Sequence, residues 1–337
     1  MTNMIETSSL KVLEKPWIIN LELSNACNLE CVFCDHPVLK KEMVIKEMDD
    51  CLLSKIFSDV KEYLNSEEMN GKIYELGLVG LGEPTLDKNF KRHIELINSY
   101  SHMFERISFN SNLVSLKQKH TETLLGSQIN SYTFSVNASN RDTYRKMMGK
   151  DRFEQVIGNL KLFLSQRRKK NTRARVDVQL FESDENSLEE LRAIFPSGLL
   201  SGVNLFSRKV YSKPVIQQNT GLLHLHTPNG LERYPCWDIY TRVYVDVEGN
   251  LYPCTIGNDS YREASDLFLG NINNADLFDI FESKKNKEAR ERSEQGKLPY
   301  PECGECNVWS LTPNNFVWDR DRWTKKRKQV RAYGLKG

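Results

Sequence analysis

Three cysteines near the start of the chain have the residue type and the spacing to hold an iron–sulfur cluster. Cys27, Cys31 and Cys34 stand in the run Cys-Asn-Leu-Glu-Cys-Val-Phe-Cys, which has a C-x3-C-x2-C spacing. Four-iron, four-sulfur clusters normally take four cysteine thiolates as ligands. Three thiolates on one short loop therefore leave one iron open, and an open iron can bind a small molecule and react with it.

Two other uses of closely spaced cysteines fit this chain less well. A structural zinc site typically pairs C-x-x-C knuckles to reach four ligands. A disulfide framework is typical of small secreted chains. This chain has 337 residues, and its polar N-terminal segment lacks the apolar core of a signal peptide. Its eight cysteines therefore indicate metal ligands in a reducing compartment, and we expect a cytoplasmic protein.

The triplet, with Phe33 before its last cysteine, resembles the signature of the radical S-adenosylmethionine (SAM) superfamily, in which that position is aromatic. The resemblance implies that the amino and carboxylate groups of SAM bind the open iron, with Phe33 among the cofactor-binding residues. It also implies that one electron cleaves SAM to methionine and a 5′-deoxyadenosyl radical, which abstracts a substrate hydrogen. The implied partners are a small-molecule substrate and an electron donor such as flavodoxin or ferredoxin.

Four further cysteines predict a second cluster. They follow a C-x17-C … C-x2-C pattern, at Cys236, Cys254, Cys303 and Cys306. Four ligands complete a cluster with no open iron, although a zinc ribbon uses the same number. Together with the segment Val245–Asn250, the pattern resembles the abbreviated Twitch form of the SPASM auxiliary-cluster domain. The implied cofactors are thus two 4Fe-4S clusters and SAM.

Strand-like and helix-like segments alternate along the part of the chain that must position the triplet. Strands are predicted at 17–23, 73–79, 106–110, 131–137, 175–181 and 203–206, and helices at 44–64, 86–100, 116–125, 153–164 and 187–195. Such alternation implies a parallel sheet with right-handed crossovers. The predicted fold class is α/β, a partial (βα)6 TIM-like barrel whose chemistry lies at the carboxyl ends of its strands. The triplet directly follows the first strand.

We expect four segments along the chain. They are an N-terminal extension at 1–16, a radical SAM partial barrel at 17–206, a small Twitch/SPASM-like auxiliary-cluster domain at 207–310, and a basic tail at 311–337. The formal net charge of +2 gives no general attraction to nucleic acid or to membranes. The eighth cysteine, Cys51, lies in the first predicted helix, where a buried packing role is expected.

Polar residues that follow the predicted strands are the candidates for binding SAM. By the resemblance, Gly82 and Glu83 belong to the segment that contacts the SAM amino group. A carboxylate suits an ammonium group, and glycines permit close approach. The ends of the third and fourth strands are expected to meet the SAM ribose and carboxylate; the candidates there are Asn110, Ser111, Ser135 and Asn137.

One position departs from the pattern of the family. Relatives often carry an Arg-Gly pair after the fourth strand, and its arginine binds the SAM carboxylate; this chain has Met148-Gly149 instead. Arg145, Lys150 and Arg152 are alternative replacements.

The reaction type is less tightly specified than the cofactors. The cysteine pattern resembles an aminocyclitol dehydrogenase of the Twitch group, which implies oxidation of a sugar or aminocyclitol carbinol with the electron passed to the auxiliary cluster. The candidate catalytic residues are Glu182, Arg208 and Tyr211, after the fifth and sixth strands. Crosslinking of a ribosomal peptide and epimerisation of a sugar or peptide carbon remain open alternatives.

Overall fold

The computed structural model describes residues 16–66, 71–208, 236, 238–254 and 265–304, together with the backbone of two strands near the C-terminus. Six strands run parallel to one another in chain order: β1 (Ile18–Leu21), β2 (Ile73–Leu78), β3 (Phe104–Ser111), β4 (Ser131–Asn137), β5 (Arg175–Phe181) and β6 (Val203–Arg208). The predicted parallel α/β sheet is confirmed.

Seven helices lie between or beside these strands. They are α1 (His36–Leu39), α2 (Asp50–Asn65), α3 (Phe90–Ser99), α4 (Gln118–Leu125), α5 (Arg141–Met148), α6 (Phe153–Lys169) and α7 (Leu188–Ala193). The sequence analysis missed α5, because five of its eight residues are charged or are threonine, and no clear apolar period results. Within the described ranges, no helix has the length and apolarity needed to cross a membrane.

Helix α2 begins six residues later than predicted. The Asp49 side chain caps it by accepting the Cys51 N–H at 2.7 Å. The segment before the cap is extended, since the Met48 N–H donates to the Leu23 carbonyl at 2.9 Å. Cys51 consequently lies in the first turn and is exposed, so the expectation that its thiol is buried was wrong.

The two faces of the sheet differ in polarity, because successive side chains on a strand point to opposite sides. The outer face is apolar and packs against the helices; Ile19 and Leu21 of β1 are fully buried there. The other face is polar and includes Asn20, Glu22, Ser108, Asp177 and Gln179. A Cβ atom on Gly77 would lie 2.4 Å from the Asn20 Oδ1 atom, so this face also contains a glycine within a strand.

The sheet continues beyond β1 into the C-terminal half of the chain. That half contains α8 (Asp238–Thr241), β7 (Arg242–Val245), β8 (Asn250–Tyr252), β9 (Gly270–Asn271), α9 (Leu277–Phe281) and α10 (Lys284–Glu294). The strand order is β6-β5-β4-β3-β2-β1-β7-β8-β9, with β7 parallel to β1 and β8 antiparallel to β7. Strands β7 and β8 form a hairpin, and β7 extends the barrel sheet.

Two further contacts tie this half to the barrel. Tyr63 of α2 stacks on Phe278 of α9 with ring centroids 3.9 Å apart, and the Leu277 N–H donates to the Asp59 carboxylate at 3.0 Å. Near the C-terminus, β10 (Phe316–Asp319) and β11 (Arg322–Lys325) form a separate antiparallel pair inside the segment expected to be a tail.

We predict that Leu21→Ala destabilises the barrel and the β7–β8 hairpin together. Leu21 is fully buried on the strand that both halves share, and truncating a buried leucine costs about 2–5 kcal/mol. Hydrogen exchange should show lower protection in β4 and in β7–β8 by the same free energy. Val44→Ala is the control, because Val44 is 69% exposed. Loss of protection in only one half would mean that the two halves unfold independently.

Candidate iron–sulfur and SAM site

The triplet lies on a loop that starts just after β1. Cys27 and Cys31 pack against the main core, and Cys34 is half-buried, with its N–H donating to the Cys31 carbonyl at 3.1 Å. Burial, followed by the charges of neighbouring groups that include the other thiols, raises the pKa of Cys27 to about 12 and that of Cys31 well above its usual range. The three thiols are therefore close enough to influence one another.

Three thiols on one loop suit three corners of a four-iron cluster. In the described ranges, no group of three or more His, Cys, Asp or Glu side chains converges tightly enough to hold one metal ion. A four-iron cluster binds its thiolates at separate corners, so its ligands stand further apart than those of one tetrahedral zinc ion. Loading requires the thiols to lose their protons, as metal binding generally does.

The C-terminal end of α5 holds the triplet loop in place. The N–H groups of Glu30 and Val32 donate to the carbonyls of Met148 and Met147 at 3.2 and 3.0 Å. Gly149 follows with a φ of +70°, and a Cβ atom there would lie 2.3 Å from the Glu30 carbonyl oxygen. Only glycine therefore suits this position, for its backbone conformation and for the close approach of the loop.

Met148 itself lies beside the predicted cluster. Its sulfur is 3.9 Å from the Cys31 sulfur and 3.6 Å from the Asn137 side-chain nitrogen. Of the three basic residues considered as replacements for the arginine of relatives, Lys150 reaches the triplet loop at Glu30. Arg145 and Lys150 pair with Asp142 and Glu30, at 3.8 and 3.4 Å, and Arg152 is exposed before α6.

Glu83 is the centre of a buried hydrogen-bond network after β2. Its Oε1 atom accepts from the Thr85 N–H, the Thr85 hydroxyl and the Ser111 hydroxyl at 3.1, 2.6 and 2.8 Å. Its Oε2 atom accepts only the Asn112 N–H, at 2.7 Å, among the described contacts. Burial raises the pKa of Glu83. Since a carboxylate oxygen can accept two hydrogen bonds, Oε2 retains capacity for an ammonium group.

The end of β3 meets the triplet through Asn112, which belongs to the polar strand end that the sequence analysis expected to meet SAM. The Asn112 side-chain nitrogen lies 3.8 Å from the Cys27 sulfur and 2.9 Å from Asn28 Oδ1. Its signal in the sequence was its place directly after Asn110 and Ser111. Asn137, with a φ of +65°, accepts the Gln179 amide at 2.8 Å.

The remaining candidates at these strand ends are half-buried. Asn110 is the penultimate residue of β3, and Ser135 adjoins the irregularity in the pairing of β4 with β5. Their roles as SAM contacts, and those of Gly82, Glu83, Ser111 and Asn137, stay predictions.

Glu22 is a residue that the sequence analysis missed. It is buried after the end of β1, where Oε1 accepts the N–H groups of Leu81 and Gly82 at 2.7 and 3.0 Å. Burial raises the pKa of Glu22 to about 8, and the charge of Asp246 adds to the effect. In the sequence it looks like one more polar residue in an alternating strand, so no local signal marked it.

The candidate catalytic residues stand at the ends of β5 and β6. Phe33 packs edge-on against Phe181 at 4.4 Å between centroids, and the Arg208 guanidinium lies 5.3 Å from the centre of the Phe181 ring. Glu182 is exposed, and its N–H donates to the Arg208 carbonyl at 2.8 Å. Tyr211 lies outside the described residues.

A cavity of about 540 Å³ opens beside these residues, and three carboxylates line it. It is lined by Leu180, Phe181, Glu182, Ser183, Asp184, Asn186, Leu188, Glu189 and Ser207.

Three cysteines of the second set lie in the described part of the C-terminal half, and two of them, Cys254 and Cys303, lie near Tyr300. Cys254 is buried, and Cys236 and Cys303 are half-buried. Burial, followed by the charges of Cys254 and Cys303, raises the pKa of Tyr300, so both thiols lie near its hydroxyl. That hydroxyl donates to Asn286 Oδ1 at 2.8 Å. Cys306 lies outside the described residues.

The fold and the two cysteine sets define an iron–sulfur protein built on a partial α/β barrel. The chain belongs to the radical SAM superfamily, whose sequence model matches residues 21–192. The model of the SPASM iron–sulfur cluster-binding domain matches residues 236–307. The cofactors are accordingly a SAM-binding 4Fe-4S cluster with SAM itself, and an auxiliary cluster in the C-terminal half.

Two of the curated relatives are each described as a probable GTP 3′,8-cyclase. A probable GTP 3′,8-cyclase of Saccharolobus solfataricus is 32% identical over 152 residues, which cover 42% of each chain. A probable GTP 3′,8-cyclase of Saccharolobus islandicus is 25% identical over 151 residues, again 42% of each chain. The matched segment thus spans less than half of these relatives' length.

Solved structures share the fold over most of the chain. BtrN in complex with AdoMet and 2-DOIA has a TM-score of 0.55 at 17% identity, covering 88% of this chain and 96% of its own. Streptococcus suis SuiB bound to the precursor peptide SuiA has a TM-score of 0.53 at 14% identity, covering 89% and 72%. Native anSMEcpe with bound AdoMet has a TM-score of 0.57 at 17% identity, covering 86% of each chain.

We predict that Gly149→Ala lowers iron incorporation at the triplet. A Cβ atom would collide with the Glu30 backbone and force the loop away from α5. Anaerobic reconstitution should give about four irons per chain instead of about eight. Gly158→Ala in α6 is the matched control, because no atom lies within 4 Å of its added Cβ. Full iron content in Gly149→Ala would show that the close contact between the end of α5 and the triplet loop is not needed for cluster binding.

We predict that Glu22→Gln raises the free energy of unfolding relative to the wild type, and that this gain grows as the pH rises. The carboxyl pKa is about 8 in the folded protein and 4.5 as its usual value, so between these values the folded state keeps a proton that the unfolded state releases. The Glu22 carboxyl group lowers the free energy of unfolding only above pH 4.5, and this loss of stability grows as the pH rises to about 8. Glutamine cannot ionise, so the variant should gain up to about 4 kcal/mol on the wild type by pH 9. Denaturant unfolding at pH 6.5 and 9 tests this, and a difference independent of pH would contradict it.

Proposed function

We propose that this protein is a SAM-consuming oxidoreductase that oxidises a carbinol of an aminated sugar or aminocyclitol to a ketone. When bound, the SAM-binding cluster and SAM supply the radical that removes the carbinol hydrogen, and the auxiliary cluster supplies an acceptor for the remaining electron. The protein must bind the substrate beside the triplet, take up the hydroxyl proton and keep the two redox sites apart.

The observation that carries this proposal is the contact chain from the triplet to the end of β6. Phe33, within the triplet, packs on Phe181, and Phe181 carries the Arg208 guanidinium on its face. A substrate held near Arg208 would therefore lie beside the loop that binds the SAM cluster. This edge of the sheet, formed by the carboxyl ends of its strands, is where barrels of this kind perform their chemistry.

The polar groups at this edge can divide the work of handling a proton. A guanidinium stays protonated in proteins, so Arg208 suits orientation of the hydroxyl and stabilisation of the negative charge that develops on its oxygen. Glu182 follows the neighbouring strand and lines the cavity, which suits a carboxylate that accepts the hydroxyl proton. We assign these two roles to Arg208 and Glu182; Tyr211 stays a candidate.

The charge of the cavity supports an aminated substrate. Glu182, Asp184 and Glu189 line it, and a substrate ammonium group would pair with carboxylates. BtrN, which shares the fold, was crystallised with 2-DOIA, whereas SuiB was crystallised with a precursor peptide. Modification of a peptide is therefore the second candidate, and a cationic side chain would suit the same cavity.

An acidic redox protein of the flavodoxin or ferredoxin type is the proposed electron donor.

We predict direct transfer of the carbinol hydrogen to SAM-derived 5′-deoxyadenosine. Each turnover should release one 5′-deoxyadenosine and one methionine, because the radical is not regenerated when the substrate electron leaves to the auxiliary cluster. Aminocyclitols and amino sugars deuterated at the carbinol carbon should give monodeuterated deoxyadenosine and a ketone. Mass spectrometry of both products measures this under anaerobic conditions with a chemical reductant.

Other outcomes of the same assay separate the alternatives. Solvent deuterium in a product of unchanged mass would indicate epimerisation, and reaction only with peptides would indicate crosslinking. Cyclisation of GTP would indicate the activity of the Saccharolobus relatives. Glu182→Gln should still give deuterated deoxyadenosine but less ketone, by about 10²- to 10⁴-fold if it is the base. Asp184→Asn, which alters another carboxylate of the cavity, is the control.

A further inference from the structure

A buried carboxylate joins the loop after β2 to the end of β1. Glu22 Oε1 accepts the backbone N–H groups of both Leu81 and Gly82. The loop approaches so closely that a Cβ atom on Gly80 would lie 2.6 Å from Glu22 Cγ, and one on Gly82 would lie 2.1 Å from the Ser24 carbonyl oxygen. Glu22 therefore fixes the backbone from which the next residue, Glu83, extends.

A tyrosine from the C-terminal half reaches the same carboxylate. Tyr244, on β7, is buried, and its hydroxyl hydrogen-bonds to the Glu22 side chain. Its strand lies beside β1, with Tyr244 paired to Asn20 in the register. Tyr244 also falls inside the range matched by the iron–sulfur cluster-binding domain. A group of the second module thus contacts the residue that holds the loop of the first.

The other polar groups near Glu22 serve a different purpose. Asp246 accepts the N–H groups of Glu248 and Asn250, both at 2.9 Å, and so shapes the turn of the β7–β8 hairpin. The Tyr252 hydroxyl reaches Asp246 Oδ2 at 3.5 Å. Tyr244 is thus the residue of the hairpin whose hydroxyl bonds to Glu22.

We infer that Glu22 is a positioning residue for SAM and that Tyr244, which belongs to the second module, holds the Glu22 side chain in place. Glu22 orients the 80–83 segment so that the Glu83 carboxylate faces the SAM ammonium group, and the Tyr244 hydroxyl holds the Glu22 side chain in that orientation. SAM affinity at the first cluster then depends on a hydroxyl supplied by the auxiliary-cluster module. The inference rests on the proposed SAM-binding role of Glu83. The test separates that role from the positioning role of Glu22.

Equilibrium dialysis with SAM on anaerobically reconstituted protein measures the effect, with iron content measured on the same samples. Glu22→Ala should weaken SAM binding about tenfold or more, as expected for loss of hydrogen bonds to a buried carboxyl group. Glu22→Gln keeps an acceptor oxygen for both N–H groups and should stay within about threefold of the wild type. Iron content should be unchanged in both, because the described hydrogen bonds of Glu22 go to the loop after β2.

Two tyrosine variants form the matched pair. Tyr244→Phe removes the hydroxyl that reaches Glu22 and should weaken SAM binding about threefold. Tyr252→Phe removes a hydroxyl from the neighbouring strand whose described hydrogen bond is to Asp246, and SAM binding should be unchanged. The electron paramagnetic resonance change that SAM produces in the reduced first cluster should require a higher SAM concentration in Tyr244→Phe than in Tyr252→Phe.

Several results would overturn the inference. Wild-type SAM affinity in Glu22→Ala or in Tyr244→Phe would refute it, as would equal losses in the two tyrosine variants. If Glu22→Ala does not fold or loads less iron, the tyrosine pair decides the question alone. Glu83→Gln tests the underlying assignment: unchanged SAM affinity in that variant would remove the SAM-binding role of the loop, whereas weaker affinity there with normal affinity in Tyr244→Phe would refute only the positioning role.

Discussion

The rest of this structure depends on β1, because this strand is hydrogen-bonded along both edges and leads directly into the triplet loop. Its partners are β2 on one side and β7 on the other. Its outer side chains, Ile19 and Leu21, are fully buried under the helices, while Asn20 and Glu22 face the polar side. The position of the three thiols is therefore set by contacts from both halves of the chain at once. A loop fixed in this way can hold its ligands without a disulfide or a long helix to brace it.

Close backbone approach is the second constraint on the site. The loop after β2 lies against the end of β1, and the end of α5 lies against the triplet loop; at Gly82 and at Gly149 a side chain would collide with a backbone carbonyl. Around these contacts the protein buries the carboxylates of Glu22, Glu83 and Asp246. Each is surrounded by hydrogen-bond donors, which offset the cost of removing a carboxylate from water. The buried acidic groups are thus the means by which the loops are fixed.

The sequence predicted the features whose signal is local. Strands such as Ser131–Asn137 and Arg175–Phe181 follow from continuous runs with strand-like residues, and the cysteine sets follow from spacing. It did not predict that β7 would pair with β1, because no local pattern specifies which strand lies beside which across more than two hundred residues. It also missed the role of Glu22 and the contact of Gly149 with the triplet loop, because both come from contacts with distant parts of the chain. The start of α2 was misplaced because Val44 and Ile45 continue its apolar period, although both side chains are exposed.

The pairing of β1 with β7 has a consequence for synthesis of the protein on the ribosome. Leu21 pairs with Val245, so one edge of β1 stays without its native neighbour while the intervening chain is made. At bacterial-type rates of 5–20 residues per second this interval lasts about 10–45 s. An unpaired strand edge is a template for wrong pairing, and the adjacent thiols emerge from the ribosome at the same early stage. Iron delivered to the nascent loop would bind before its final support exists, which favours cluster insertion after the whole chain has been released.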